Sequence, residues 1–132
     1  MKPEELRILL IDDNDITREV LRVVLRGQGY QIVGEAGNGD QGLQMALEQK
    51  PDLILLDVMM PQVSGLDILP RIREQLPDTR ILLVTGSEDH ETLREAARSG
   101  IDGFIMKPFR ARHITEAVSK VIPGLTSAGD AS

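Results

Sequence analysis

Three aspartates, a threonine and a lysine stand where short apolar runs end. Ile8-Leu9-Leu10-Ile11 leads into Asp12-Asp13, and Leu53-Ile54-Leu55-Leu56 leads into Asp57. Ile81-Leu82-Leu83-Val84 leads into Thr85-Gly86, and Gly103-Phe104-Ile105-Met106 into Lys107-Pro108. Such runs are the pattern of strands buried on both faces. Open α/β sheets place their sites at the carboxyl ends of strands. If these runs share one sheet, three carboxylates, one hydroxyl and one ammonium meet on one rim. Mg²⁺ takes hard oxygen ligands in an octahedron and keeps several waters, so two or three carboxylates from two strand ends suit it. Without a cation the same carboxylates repel one another and raise at least one pKa. With a metal in place, Asp57 can attack phosphorus and become an aspartyl phosphate. The metal, Lys107 and backbone N–H groups would stabilise the equatorial oxygens. Thr85 can donate a hydrogen bond to the same group, and Gly86 has no side chain to block approach of its N–H. A simpler reading makes Asp13 or Asn14 the cap of the next helix. It explains one polar residue, and leaves the coincidence with Asp57, Thr85 and Lys107 unexplained.

Five elements must position these groups. The apolar runs Arg7–Ile11, Gln31–Ala36, Leu53–Leu56, Arg80–Val84 and Phe104–Met106 alternate with amphipathic stretches. In the last stretch Ile114, Ala117, Val118, Val121 and Ile122 share one helical face. Ile16, Val20, Val23 and Val24 have the same spacing in the first. Leu43, Ala46 and Leu47 mark the second helix, and Leu66, Leu69, Ile72 and Leu76 the third. Pro70 should kink that third helix or lie close to its start. Leu93, Ala96 and Ala97 mark the fourth. Asn38 with Gln41 resembles a capping box, and Gly29 and Gly100 sit where helices should stop. Strict strand–helix alternation implies a parallel sheet with helices on both faces. Right-handed crossovers make it an α/β, doubly wound, flavodoxin-like sheet of five strands with five helices, in order 2-1-3-4-5. Residues 1–122 are expected to form one domain, and residues 123–132, small and polar, a flexible tail or linker stub.

Composition limits the function classes. The chain has 132 residues, 41% hydrophobic and 27% charged, values that suit one globular domain. No apolar run approaches the roughly 20 residues of a membrane span, and the N-terminus lacks the apolar stretch of a signal peptide. Cysteine is absent, which removes disulfides and thiolate metal sites. A cytoplasmic protein without a membrane segment is expected. The net charge of -6 argues against direct nucleic-acid binding, which needs phosphate neutralisation. Lys107, Arg110 and Arg112 form only a small basic cluster at a helix start.

Asp12-Asp13, Leu-Leu-Asp57 followed by Met-Met-Pro61 and Gly65, Thr85-Gly86 and Lys107-Pro108-Phe109 together resemble the receiver domain of two-component response regulators, of the chemotaxis type. The resemblance covers residues 5 to 122. It implies Asp57 as phosphoacceptor, with Asp13, Asp57 and the Met59 carbonyl as direct Mg²⁺ ligands and Asp12 acting through water. It implies that Thr85, Lys107 and the backbone at Met59 and Gly86 bind the phosphoryl group. It further implies a switch, in which Thr85 moves inward and the aromatic Phe104 rotates into the vacated space. Many relatives carry Tyr there, and Phe can pack inward but donates no hydroxyl hydrogen bond. Input would come from a phosphohistidine on a sensor histidine kinase or phosphotransfer protein. Output would run through the fourth helix, fifth strand and fifth helix to a downstream protein, an output domain or a second copy. Such a chain catalyses its own phosphorylation and slow dephosphorylation and is a signalling phosphoacceptor rather than a metabolic enzyme. By family analogy Met59 and Ser87 set the lifetime of the phosphoryl group, and neither offers a strong base.

Other motifs compete. Asp13-Asn14-Asp15-Ile16-Thr17 matches the Asp-x-Asp-x-Thr of haloacid-dehalogenase-type phosphatases, with Asp13 as nucleophile and Asp15 as acid/base. That reading leaves Asp57 idle, provides no late acidic pair and has no room for a cap. Gly37-Asn38-Gly39-Asp40-Gln41-Gly42 fits G-x-G-x-x-G, but it follows the second strand rather than the first. A capped glycine turn is the simpler account. His90 and His113 are single and read as surface residues. A receiver-like module that binds partners without accepting phosphate is the remaining alternative.

Overall fold

The computed structural model describes residues 2–60, 62–86 and 90–125. After a short 3-10 turn at Pro3–Glu5, strands β1 (Arg7–Ile11), β2 (Gln31–Ala36), β3 (Leu53–Asp57), β4 (Arg80–Thr85) and β5 (Gly103–Met106) alternate with five helices. The helices are α1 (Asp15–Gly27), α2 (Gly39–Gln49), α3 (Gly65–Gln75), α4 (His90–Ser99) and α5 (Ala111–Leu125). The strands form one sheet in order β2-β1-β3-β4-β5, every pair parallel. The expected doubly wound architecture is therefore the observed one.

Register brings the strand ends together. Ile11 pairs with Leu56, Asp57 with Val84, and Thr85 with Met106. The next residues along β1 and β5 are Asp12 and Lys107, so both reach the rim that Asp57 occupies. Alternation along the strands builds two cores. Leu9, Ile11, Ile54, Leu56, Ile81 and Leu83 pack with Ala46 of α2, Ile68, Leu69 and Ile72 of α3, and Ala96 of α4. Ile8, Leu10, Leu53, Leu55, Leu82, Val84 and Ile105 pack on the other face with Leu21 and Leu25 of α1 and Ile114, Val118 and Val121 of α5. Fully buried Leu and Ile side chains stabilise by about 1.5–3 kcal/mol each, so the central strands β1, β3 and β4 are the firm supports of the sheet.

One helix buries a different face from the one its spacing suggested, and two more match theirs except at one residue each. On α1, Leu21 and Leu25 are buried, while Ile16 is 72% exposed, Val20 41% and Val23 62%. The helix carries apolar residues on two sides, and periodicity does not say which side meets the sheet. On α2, Gly39, Gly42 and Ala46 are buried and Leu43 and Met45 pack against the same core, with Leu47 exposed. A Cβ at Gly42 would lie 2.6 Å from Ile11 Cγ2, so at that point the helix approaches β1 through the absence of a side chain. On α4, among the described residues, Ala96 alone is fully buried, Leu93 is half-buried, and Ala97 is exposed. Pro70 lies inside α3, on its exposed side, so the helix continues through it. Helix α5 runs on to Leu125, past the expected limit at Ile122. Residues 126–132 of the expected tail lie outside the described residues.

Candidate functional site

Capping settles what the residues after β1 are free to do. Asn14 is the N-cap of α1, and its side-chain oxygen accepts from Thr17 N–H at 2.9 Å. Asp13 is therefore not needed as a cap, and it is exposed on the rim. Asp12 is only 1% exposed. Its Oδ1 accepts from Asn14 N–H at 2.8 Å, while its buried Oδ2 has no hydrogen-bond partner.

Asp57 ends the fully buried strand β3 and is itself 1% exposed. Its Oδ1 accepts from Met59 N–H at 3.2 Å. Lys107 Nζ lies 3.6 Å from Asp12 Oδ2 and 3.6 Å from Asp57 Oδ1, so one ammonium bridges both buried carboxylates. The turn after Asp57 is tightly specified. Ser64 Oγ donates to the Val58 carbonyl at 3.0 Å and Gly65 N–H donates to the same oxygen at 3.0 Å. Ser64 and Asp67 form a capping box on α3. A Cβ at residue 65 would lie 2.2 Å from the Asp57 carbonyl oxygen, so α3 can approach the strand end only with glycine there.

Electrostatics mark Asp57 as the perturbed group. Burial pushes its pKa up to about 7, the neighbouring Asp12 pushes the same way, and Lys107 and the Met59 N–H partly offset them. Two buried carboxylates sharing one ammonium are short of positive charge. Carboxylate oxygens of Asp12, Asp13 and Asp57 lie within 4.8 Å of one another. Hard oxygen donors and a buried Asp12 oxygen that has an ion pair but no hydrogen bond fit a divalent cation such as Mg²⁺, with Asp12, Asp13 and Asp57 as the side chains that would hold it.

The remaining expected residues are placed as follows. Thr85 is fully buried at the end of β4, and its carbonyl accepts from Lys107 N–H at 2.8 Å, which ties β4 to the lysine strand. Gly86 is exposed, and a Cβ there would meet Lys107 Cβ at 3.8 Å, an ordinary contact. Space alone therefore does not require glycine at this position. The Met59 side chain is 67% exposed and its backbone N–H faces Asp57. Phe104 is 50% exposed, which corrects the reading of it as a core strand residue; edge strand β5 leaves it uncovered. Pro61 and Ser87 lie outside the described residues.

The competing motifs find structural roles. Asp15 is exposed and ion-paired with Arg18, and Asp13 is solvent-facing, so the Asp-x-Asp pair lacks a buried nucleophile. Asn38 caps α2 by accepting from Gln41 N–H at 2.8 Å. The Gln41 side chain accepts from Gly37 N–H at 3.2 Å, one residue short of a full capping box. His113 is half-buried rather than surface, and its Nδ1 accepts from Arg110 N–H at 2.9 Å at the start of α5. Sequence reasoning missed the Ser64–Asp67 box, the steric need for Gly65 and the bonds of Arg18. The Ser-x-x-Asp spacing before an apolar stretch was the available signal for the first.

An acidic rim on a 2-1-3-4-5 parallel sheet, with Asp57 among Asp12, Asp13 and Lys107, defines the class to which this chain is assigned. It belongs to the response regulator receiver domain family, whose model matches residues 8–119. It is 32% identical to the chemotaxis protein CheY of Thermotoga maritima over 115 residues, covering 87% of this chain and 96% of that one. It is 37% identical to the probable C4-dicarboxylate response regulator DctR of Halalkalibacterium halodurans over 87% of this chain, but spans only 50% of that protein. Among solved structures it resembles a response regulator from Burkholderia pseudomallei with a phosphorylated aspartic acid, calcium ion and citrate. That match has a TM-score of 0.80 and 28% identity, and covers 94% of this chain and 72% of the other. No described helix is long and apolar enough to cross a membrane.

Proposed function

We propose that this domain accepts a phosphoryl group on Asp57 from a phosphohistidine on a sensor kinase or phosphotransfer protein. The observation that carries the reading is the buried Asp57 carboxylate, held between Asp12 and Lys107 and hydrogen-bonded to Met59 N–H. An Asp57 oxygen attacks phosphorus, the P–N bond to the donor imidazole breaks, and the imidazole leaves with the electron pair. When bound, Mg²⁺ neutralises carboxylate charge and polarises the phosphoryl oxygens. Asp12, Asp13 and Asp57, with the Met59 carbonyl, would hold it. Lys107 would move from bridging two carboxylates to pairing with a phosphoryl oxygen. Thr85 and the N–H groups of Met59 and Gly86 would donate to the others. The half-exposed Phe104 would move inward when Thr85 shifts, which would change the surface of α4, β5 and α5 presented to a partner or a second copy. The reading places the domain in the cytoplasm, with the receiver fold extended to the end of α5 at Leu125.

The test is incubation with acetyl phosphate and Mg²⁺. One hydroxylamine-labile phosphate per chain is expected, and Asp57→Asn should carry none. Intact protein with Mg²⁺ bound and no phosphate gained would instead identify a receiver-like binding module.

A further inference from the structure

Asp12 is held on three sides. Its N–H donates to the Ala36 carbonyl at 3.0 Å, its Oδ1 accepts from Asn14 N–H, and its carbonyl accepts from Arg18 Nη1 at 2.6 Å. The last bond matters for its neighbour. A peptide unit is planar, so fixing the Asp12 carbonyl fixes the plane from which Asp13 departs. Asp13 itself is exposed, and no described hydrogen bond or ion pair holds its side chain.

Arg18 is built into this position. Its guanidinium pairs with Asp15 and lies 3.5 Å from Glu35 of β2 through Nε. Glu35 is held in turn by Arg22 Nη1, at 3.0 and 2.8 Å to its two oxygens. Two arginines and two carboxylates cancel in charge. A cation so close to an acidic rim would otherwise oppose a second cation; here its charge is balanced locally while Nη1 donates to the Asp12 carbonyl. Lysine has no planar fork and cannot hold the carbonyl and Glu35 together in this geometry.

We propose that Arg18 is a positioning residue for the metal pair. It sets the Asp12–Asp13 peptide plane so that the Asp13 carboxylate faces the cluster, without touching metal or phosphate itself. The inference rests on the Mg²⁺ reading above. Outer partners of metal ligands typically carry about 10–100-fold in affinity, and an effect at the low end is expected because Asp12 and Asp57 keep their own supports.

The experiment compares Mg²⁺ titrations of the native chain, Arg18→Ala, Arg18→Lys and Arg22→Ala, with thermal melts and metal-free amide spectra of each. Arg18→Ala and Arg18→Lys should both weaken Mg²⁺ about tenfold, while Arg22→Ala stays within about twofold. In the metal-free spectra both Arg18 variants should shift the Asp13 amide resonance strongly, and Arg22→Ala should not. Native-like affinity in Arg18→Lys, tighter binding in Arg18→Ala, or equal losses in the Arg22 variant would overturn the proposal. A native chain that binds no Mg²⁺ would sink the metal reading by itself. The Asp13 amide shift would still decide whether Arg18 sets the plane. If Arg18→Ala does not fold, Arg18→Lys and Arg22→Ala carry the comparison.

Discussion

The site is shared by two unlike regions. Asp12 and Asp57 come from β1 and β3, central strands with every residue from Ile8 to Asp12 and from Leu53 to Asp57 buried. Thr85 ends β4, which is buried from Ile81 onward but stands beside a helix whose described residues fully bury Ala96 alone, and Lys107 follows edge strand β5, which leaves Phe104 half exposed. Negative charge is thus mounted wholly on the firm centre of the sheet, while the groups that would respond to it, buried Thr85 and partly exposed Lys107, border the less covered α4 and β5. Low local packing is where segments that move are found. The contrast suggests a division of labour, in which one region fixes where phosphorus must sit and the other converts its arrival into a change of shape.

The contrast can be broken most severely by packing mutations. Leu55→Ala on β3 should cost about 2–5 kcal/mol, and Gly65→Ala a similar amount because its Cβ would overlap the Asp57 carbonyl. Leu93→Ala on α4 should cost about 1 kcal/mol or less, since the half-buried side chain has little to lose. Urea unfolding of the three variants checks this; a Leu93 cost equal to that of Leu55 would remove the distinction.

Charge on the firm half gives the next effect. The Asp57 pKa is raised to about 7 in the metal-free fold, above the value of an unfolded Asp. The folded state therefore holds a proton that the unfolded state has released, and stability falls as pH rises from about 4 through 7. The loss should be on the order of 1–3 kcal/mol. Asp57→Asn should flatten that slope and be the more stable protein at pH 8 in chelator. Mg²⁺ should restore the native chain at pH 8. Parallel pH profiles for both proteins would show that Asp57 is not the strained group.

Lys107→Ala probes the join between the halves. Losing the ammonium that bridges Asp12 and Asp57 should slow phosphorylation about tenfold or more, with the metal still supplying charge. It should also separate phosphorylation from change in α4 and β5. Amide spectra with and without acetyl phosphate test this, and native-like shifts in the variant would move the coupling elsewhere. The smallest effect is expected at Met59, whose exposed apolar side chain cannot orient water over Asp57. Met59→Asn should shorten the phosphorylated lifetime by a few-fold, read in a direct dephosphorylation assay.

The firm half is also the half that could be read from sequence. Uninterrupted runs such as Leu53–Leu56 admit few interpretations, and each ends at a residue that the rim gathers. The loose half and the helices were less legible. The apolar positions of α1 lie on two sides, and only packing against β1 and α5 selects Leu21 and Leu25 over Ile16, Val20 and Val23. Gly65 and Gly42 act by leaving space, which spacing does not express. Arg18 acts through a backbone carbonyl, a partner no side-chain pattern reveals. Phe104 looked like core because strand residues in runs usually are; its exposure follows from β5 being an edge.

The central claim is that the buried carboxylate at the end of β3 is the one that takes the phosphoryl group. Borohydride reduction of protein treated with acetyl phosphate and Mg²⁺, followed by peptide mass spectrometry, converts a phosphorylated aspartate to homoserine and locates it. The account predicts homoserine at position 57 alone, and none in Asp57→Asn. Homoserine at position 13 would contradict it and return the chain to chemistry centred on the exposed Asp13.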